Sequence, residues 1–206
     1  YWPEGFLIND VARTMSKKGV AVGVLTAKAN YPSGKIYSGY RAWGCQHEIH
    51  DEVSIHRIPI YPRKSGALSL ALNYLSFVFF GLFLSPWVLR GKKYDVIFVY
   101  GTSPITQALP AILLGWIKKC PVVLWVQDLW PESLVATGYV KNKVILKLVE
   151  GLVRFIYRRS DLLLVQSKAF IASVSLLASG TPVKYYPNSV AEHFSAKTIS
   201  AIPDID

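Results

Sequence analysis

A chain of 206 residues with 51% hydrophobic residues and a mean hydropathy of +0.29 can bury the core of one large α/β domain, and it is not a disordered polymer. Its 23 lysines and arginines against 13 aspartates and glutamates leave a net +10, which favours anionic partners: phosphates, diphosphates, nucleic acid or acidic lipid. Cys45 and Cys120 stand far apart with no CxxC or Cys/His cluster around either, so they read as buried thiols in a reducing compartment, and no residue set has metal-ligand spacing.

Tyr1-Trp2-Pro3-Glu4-Gly5 reads as a loop entering a helix, as though a preceding strand were missing. From Phe6 to Lys18, Leu7, Val11 and Met15 repeat at helical spacing, and Gly19 supplies a stop. The valine-rich run Val20 to Ala27 predicts a strand, followed by a turn-rich loop from Asn30 to Arg41. His47 and His50 have only Glu48, Asp51 and Glu52 for company, which predicts a solvated loop. Val53 to Ile60 alternates apolar and polar residues as a strand does. Ala67 to Leu84 predicts an apolar helix closed by Pro86. Asp95 to Tyr100 predicts a strand ending at Gly101-Thr102-Ser103-Pro104, and a helix follows from Ile105 to Lys118. Val122 to Gln127 is a strand, Lys141 to Arg159 a helix, and Asp161 to Gln166 a buried strand with Ser167 capping another helix. Val183 to Tyr186 closes the sheet, and the tail beyond Pro187-Asn188-Ser189-Val190 has no periodicity; with the strandless start, it reads as a fragment. Strands alternating with helices predict a doubly wound, mostly parallel sheet.

The helix from Ala67 approaches the length of a membrane span. Ser69, Asn73 and Ser76 share one face, however, and that suits an interfacial or core helix better. Arg57, Arg63 and Lys64 precede it, Arg90, Lys92 and Lys93 follow it, and no acid occurs between Glu52 and Asp95. Two readings stand side by side: a segment lying on an anionic leaflet through Phe77 and Phe80 with its flanking cations, or a buried flanking helix with solvated ends. Arg154, Arg158 and Arg159 read as a solvated helix end with cations well placed against the dipole. No nucleic-acid signature accompanies the charge, and no G-x-G-x-x-G turn supports a dehydrogenase.

The segment with most chemistry is Gln127-Asp128-Leu129-Trp130-Pro131-Glu132-Ser133. In open α/β sheets, ligands sit beyond the carboxyl ends of the strands, which is where Asp128, Trp130 and Glu132 would fall. The plainer alternative is that Asp128 and Ser133 only cap the next helix. Ser103, at the exit of its own strand, would reach the same cleft.

Several pieces occur in a telling order: Trp2-Pro3-Glu4, Leu25-Thr26-Ala27, Asn30-Tyr31-Pro32-Ser33-Gly34-Lys35, Leu72-Asn73-Tyr74-Leu75-Ser76-Phe77, Thr102-Ser103-Pro104, the Gln127 to Ser133 segment, and Pro187-Asn188-Ser189-Val190. Together they resemble the N-terminal domain of family 4 glycosyltransferases, in particular the bacterial amino-sugar and fucose transferases that build O-antigen, capsule and colanic acid. The resemblance implies the N-terminal half of a GT-B fold over residues 1–190, a linker from 191–206, and a donor-binding second domain beyond. It implies retaining transfer from a nucleotide-sugar, with no cofactor, to a saccharide on polyprenyl diphosphate at the inner face of the cytoplasmic membrane. Asp128 and Glu132 would then be catalytic, Trp130, Ser103 and Gln127 would hold the acceptor, and Glu4 and Gly5 would lie at the donor phosphates. Gln127 stands where relatives commonly carry histidine, and the loop has the single Gly5 where many have several. A non-catalytic membrane-associated binding domain is the alternative.

Overall fold

The computed structural model describes residues 7–28, 36–37, 39–41, 43–63, 66–136, 138 and 140–189. Glu4, Gly5 and Lys64 lie outside the described residues, as does the segment 29–35.

The first half builds a three-stranded sheet. Helix α1 (Leu7–Lys17) leads to β1 (Gly23–Ala27), and β2 (Gln46–His50) and β3 (Val53–Ile58) form a hairpin. β1 runs parallel to β3, with Gly23 opposite Ser54 and Ala27 opposite Ile58, while β2 runs antiparallel on the other side. The hairpin corrects the expected solvated loop: His47, Glu48 and His50 lie in β2, and Asp51 and Glu52 form its turn with φ of 49° and 63°. An edge strand exposes polar residues on both faces, so it shows no apolar alternation. Its ladder and one ion pair hold it. Arg57, 1% exposed, donates from Nε and Nη2 to Glu48 Oε1 at 2.8 and 2.5 Å.

The second half is a four-stranded parallel sheet in the order β4 (Ile97–Gly101), β5 (Val122–Val126), β6 (Leu162–Val165), β7 (Val183–Tyr185). A 3-10 turn (Ile105–Gln107) and α3 (Ala108–Lys118) join β4 to β5; α4 (Glu132–Ala136) and α5 (Lys143–Arg158) join β5 to β6; α6 (Phe170–Ala178) joins β6 to β7. The short α4 was not foreseen. Asn142 caps α5, its Oδ1 accepting from Val144 N at 2.8 Å and Ile145 N at 3.3 Å, as asparagine does at this position. The main core lies between this sheet and its helices: Leu124, Val126, Leu163 and Val165 meet Ile112, Val153, Ile156 and Val174, all buried. Each such side chain contributes about 1.5–3 kcal/mol by leaving water. The fold is the α/β, mostly parallel, Rossmann-like arrangement expected, but its strands fall into two sheets. Among the described residues β1 pairs only with β3, and β4 only with β5.

Helix α2 (Ala67–Val88) bridges the two sheets by packing on β3 and on α3. It runs a turn beyond the end expected from Pro86, which lies inside it. Proline withholds one amide, but the Leu89 amide reaches Ser85 O at 3.0 Å and the last turn closes. The polar residues of α2 turn inward: Asn73 Nδ2 donates to Tyr61 O at 2.5 Å, and the Tyr61 amide donates to Ser76 Oγ at 2.8 Å. Gly81 allows the close approach to α3, since a Cβ there would stand 2.5 Å from Pro110 Cγ.

The first sheet also buries titratable groups. Lys28 is 1% exposed and its Nζ donates to Gln46 Oε1 at 2.6 Å; burial pushes its ammonium down in pKa. His56 is 6% exposed, stacks on His47 with ring centroids 4.5 Å apart, and its Nε2 lies 2.8 Å from Lys92 Nζ. Burial, then Lys92, then His47 lower its pKa to about 4. The neutral imidazole accepts from the Lys92 ammonium, whereas a protonated one would face a cation.

Gly81→Ala is expected to lower stability by about 1–3 kcal/mol, because Pro110 on one helix and the backbone of the other must separate; chemical denaturation measures it. His56 has a lower pKa folded than its ordinary 6.5, so its stabilising effect is full above pH 6.5 and is lost as pH falls through about 4. The loss amounts to about 3 kcal/mol over that window, from roughly 1.4 kcal/mol per unit. The stability of His56→Gln should fall less steeply with acid than that of the parent, as read by denaturation at a series of pH values.

Candidate active site

The polar residues singled out in the sequence gather at the carboxyl ends of β4 and β5. The parallel register sets Gly101 opposite Val126. The Gln127 amide then donates to Gly101 O at 3.0 Å. A Cβ on Gly101 would stand 2.8 Å from Leu124 Cδ1 and 2.9 Å from Trp125 O, so this close approach of the two strands requires glycine. The segments Thr102-Ser103-Pro104 and Asp128-Leu129-Trp130-Pro131 therefore leave the sheet side by side, each with a cis X-Pro bond.

Ser103 joins them. Its Oγ donates to Asp128 Oδ2 and accepts from Trp130 Nε1 at 3.0 Å. The hydroxyl is thus used in both senses, and it fixes a carboxylate and an indole in one geometry. Leu129 and Trp130 pack partly buried against the main core, which anchors the segment from below. Gln107 Nε2 donates to Thr102 O at 2.8 Å and holds the other exit turn. Among the described residues Asp128 bonds Ser103 and caps no helix. Glu132 opens α4 and is exposed.

Two residues beside the site, Tyr157 and Gln166, had no mark in the sequence, while Asn188 belongs to the Pro187-Asn188-Ser189-Val190 segment. Tyr157 of α5 is 1% exposed, and burial, then the charge of Glu132, then that of Asp128 push its phenol pKa upward. In the sequence it is one more aromatic in an amphipathic helix, and only the crossover back from β5 brings it within the field of the acids. Gln166 and Asn188 form a ladder across the strand ends. Gln166 Nε2 donates to Gln127 O at 2.7 Å, and Asn188 Nδ2 donates to Gln166 Oε1 at 2.7 Å. Gln127 itself keeps a buried side-chain Nε2 with no partner among the described residues.

The other sequence candidates lie elsewhere. Phe77 and Phe80 are half-buried on α2, and so is Arg63 before it. Arg90 and Lys92 are exposed past its C-terminal end, Lys92 being engaged with His56.

Residues 7–188 match the family described as glycosyl transferase 4-like domain. The chain belongs to that family. No curated protein matches it. In this glycosyltransferase domain Asp128 presents a carboxylate with about four lone-pair positions, of which Ser103 occupies one, so it can accept further hydrogen bonds. Glu132 adds a second carboxylate near the same phenol, and Trp130 adds an apolar face beside them.

Ser103→Ala should detach Asp128 and leave the Trp130 N–H without its acceptor. A stability loss of about 1–3 kcal/mol is expected, with Ser103→Thr recovering most of it; thermal unfolding of the two variants checks this.

Proposed function

We propose that this domain is the acceptor-side half of a retaining glycosyltransferase that moves a sugar from a nucleotide-sugar to a polyprenyl-diphosphate-linked saccharide in cell-surface polysaccharide synthesis. The observation carrying the reading is the Ser103–Asp128–Trp130 cluster at the strand exits. A fixed carboxylate beside an indole suits a carbohydrate, whose hydroxyls need acceptors and whose C–H faces pack on aromatic rings. Asp128 accepts a hydrogen bond from the attacking hydroxyl, Trp130 packs on the acceptor sugar, and Glu132 receives a second hydroxyl. Ser103 positions Asp128, and the Gln127–Gln166–Asn188 ladder braces the floor. The nucleotide-sugar is a substrate bound mainly by a second domain, and no cofactor takes part. A net +10 favours a diphosphate-bearing acceptor and work at the cytoplasmic face of a membrane. The exposed apolar residues of α2 also favour a second reading, a non-catalytic domain that only docks on membrane.

Asp128→Asn in the complete enzyme separates the two. A charge-assisted hydrogen bond is worth about 1.5–3 kcal/mol, so turnover should fall by roughly 10- to 100-fold. Unaltered turnover removes Asp128 from catalysis, whereas absence of any transfer by the complete protein favours the docking reading.

A further inference from the structure

Leu68, Leu72, Leu75, Phe79, Phe83 and Trp87 repeat every three or four residues along α2 and are 41–76% exposed. They form one continuous stripe, about 28 Å long at 1.5 Å per residue. The rest of the helix surface is fixed to the domain through Asn73, Gly81 and the buried Ser85, and Ser76 at the stripe's flank accepts from the Tyr61 amide. Phe77 and Phe80 belong to the flank and the inner side of the helix and are half-buried. A helix packed along one side on β3 and α3 can lie in an interface as it stands, whereas crossing a bilayer would require it to leave that packing.

The end of the stripe is basic and aromatic. Arg90 and Lys93 are exposed just past Trp87. Lys118 Nζ donates to Leu89 O at 2.6 Å and to Lys92 O at 2.9 Å, which draws the end of α3, with exposed Trp116 and Lys119, alongside. The Arg159 guanidinium lies 5.4 Å from the Trp116 ring centroid.

We propose that this outer face of α2, with its basic rim, docks on an anionic phospholipid surface. The proposal deepens the membrane part of the function read above and rests on it only for its biological use. Charge selects the occupant. Two copies meeting along the stripe would bring two cation rims of a +10 chain together, whereas acidic headgroups would neutralise them. Indoles beside cations at the end of an apolar stripe suit the headgroup boundary, where one edge of the ring is wet and the other apolar.

Vesicle flotation of the 206-residue chain tests this, with phosphatidylglycerol vesicles compared against phosphatidylcholine vesicles at low and high salt. The chain should float with phosphatidylglycerol, bind phosphatidylcholine far less, and lose part of its binding in high salt. The combined variant Leu75→Ser, Phe79→Ser, Phe83→Ser should lower partitioning by about tenfold or more, with its melting temperature kept because all three side chains face solvent. Arg90→Glu with Lys93→Glu should abolish the preference for phosphatidylglycerol while leaving the stripe intact. Equal flotation of the serine variant and the parent, or no flotation of the parent, overturns the proposal. So does a parent dimer in sedimentation that the serine variant makes monomeric, since a second copy would then be the occupant. Transfer by the complete enzyme to a water-soluble acceptor reports on the catalytic reading separately: its loss in the parent enzyme sinks that reading without touching the docking result.

Discussion

The register between β4 and β5 is the constraint on which the candidate site depends. Because the strands are parallel and Gly101 faces Val126, the residues following each emerge together, and Ser103 can reach Asp128 across the gap. In a register slipped by one residue every side chain of β5 would change faces, Trp125 would leave the interior where it is 0% exposed, and the Ser103 bond would be lost. The same packing that buries Val122 to Val126 therefore positions a carboxylate at the sheet edge. The cluster sits just past two strand ends and is anchored by Leu129 and Trp130 in the core, a more rigid mounting than a free loop provides.

Helix α2 answers two demands with two faces. Its inner face carries the small and polar groups Asn73, Gly81 and Ser85, with Ser76 at the flank, that close on β3, Tyr61 and α3. Its outer face carries large apolar groups that a water-soluble surface would disfavour. The helix also touches the 3-10 turn Ile105–Gln107 just beyond Ser103, so the outward-facing stripe and the strand-exit site belong to one packed layer. The arrangement explains why hydropathy alone ranks α2 with membrane spans while only 17% of that apolar window is buried in the domain.

The large features were legible in the sequence wherever a residue pattern reflects burial. The runs Asp95 to Tyr100, Val122 to Gln127 and Asp161 to Gln166 are apolar because both faces of a parallel strand are covered; the last two contain an observed strand, and the first overlaps β4, which runs one residue further to Gly101. β2 escaped because an edge strand of His, Glu and His pairs through its backbone, which leaves no mark in side-chain polarity. The end of α2 was placed too early because proline was read as a stop, although in a final turn it removes only one amide. Asp128, Trp130 and Ser103 were legible because polar residues at the end of an apolar run stand out. Tyr157 and Gln166 were not, since their relation to the site lies in the crossover from β5 through α5 to β6 and in no local spacing.

Polar burial in this domain is uneven, and that unevenness bears on the site. Arg57, Lys28 and His56 are buried but bonded, and they give the small first sheet a specific interior that its few apolar residues could not define alone. At the strand exits the accounting differs. Gln127 has its carbonyl bound by Gln166 while its side-chain amide nitrogen is buried without an acceptor. An unsatisfied buried donor costs about 1–3 kcal/mol. An apolar residue of similar volume would relieve that cost. Such an uncompensated donor beside Asp128 is a local cost that the packing around the strand exits has to offset.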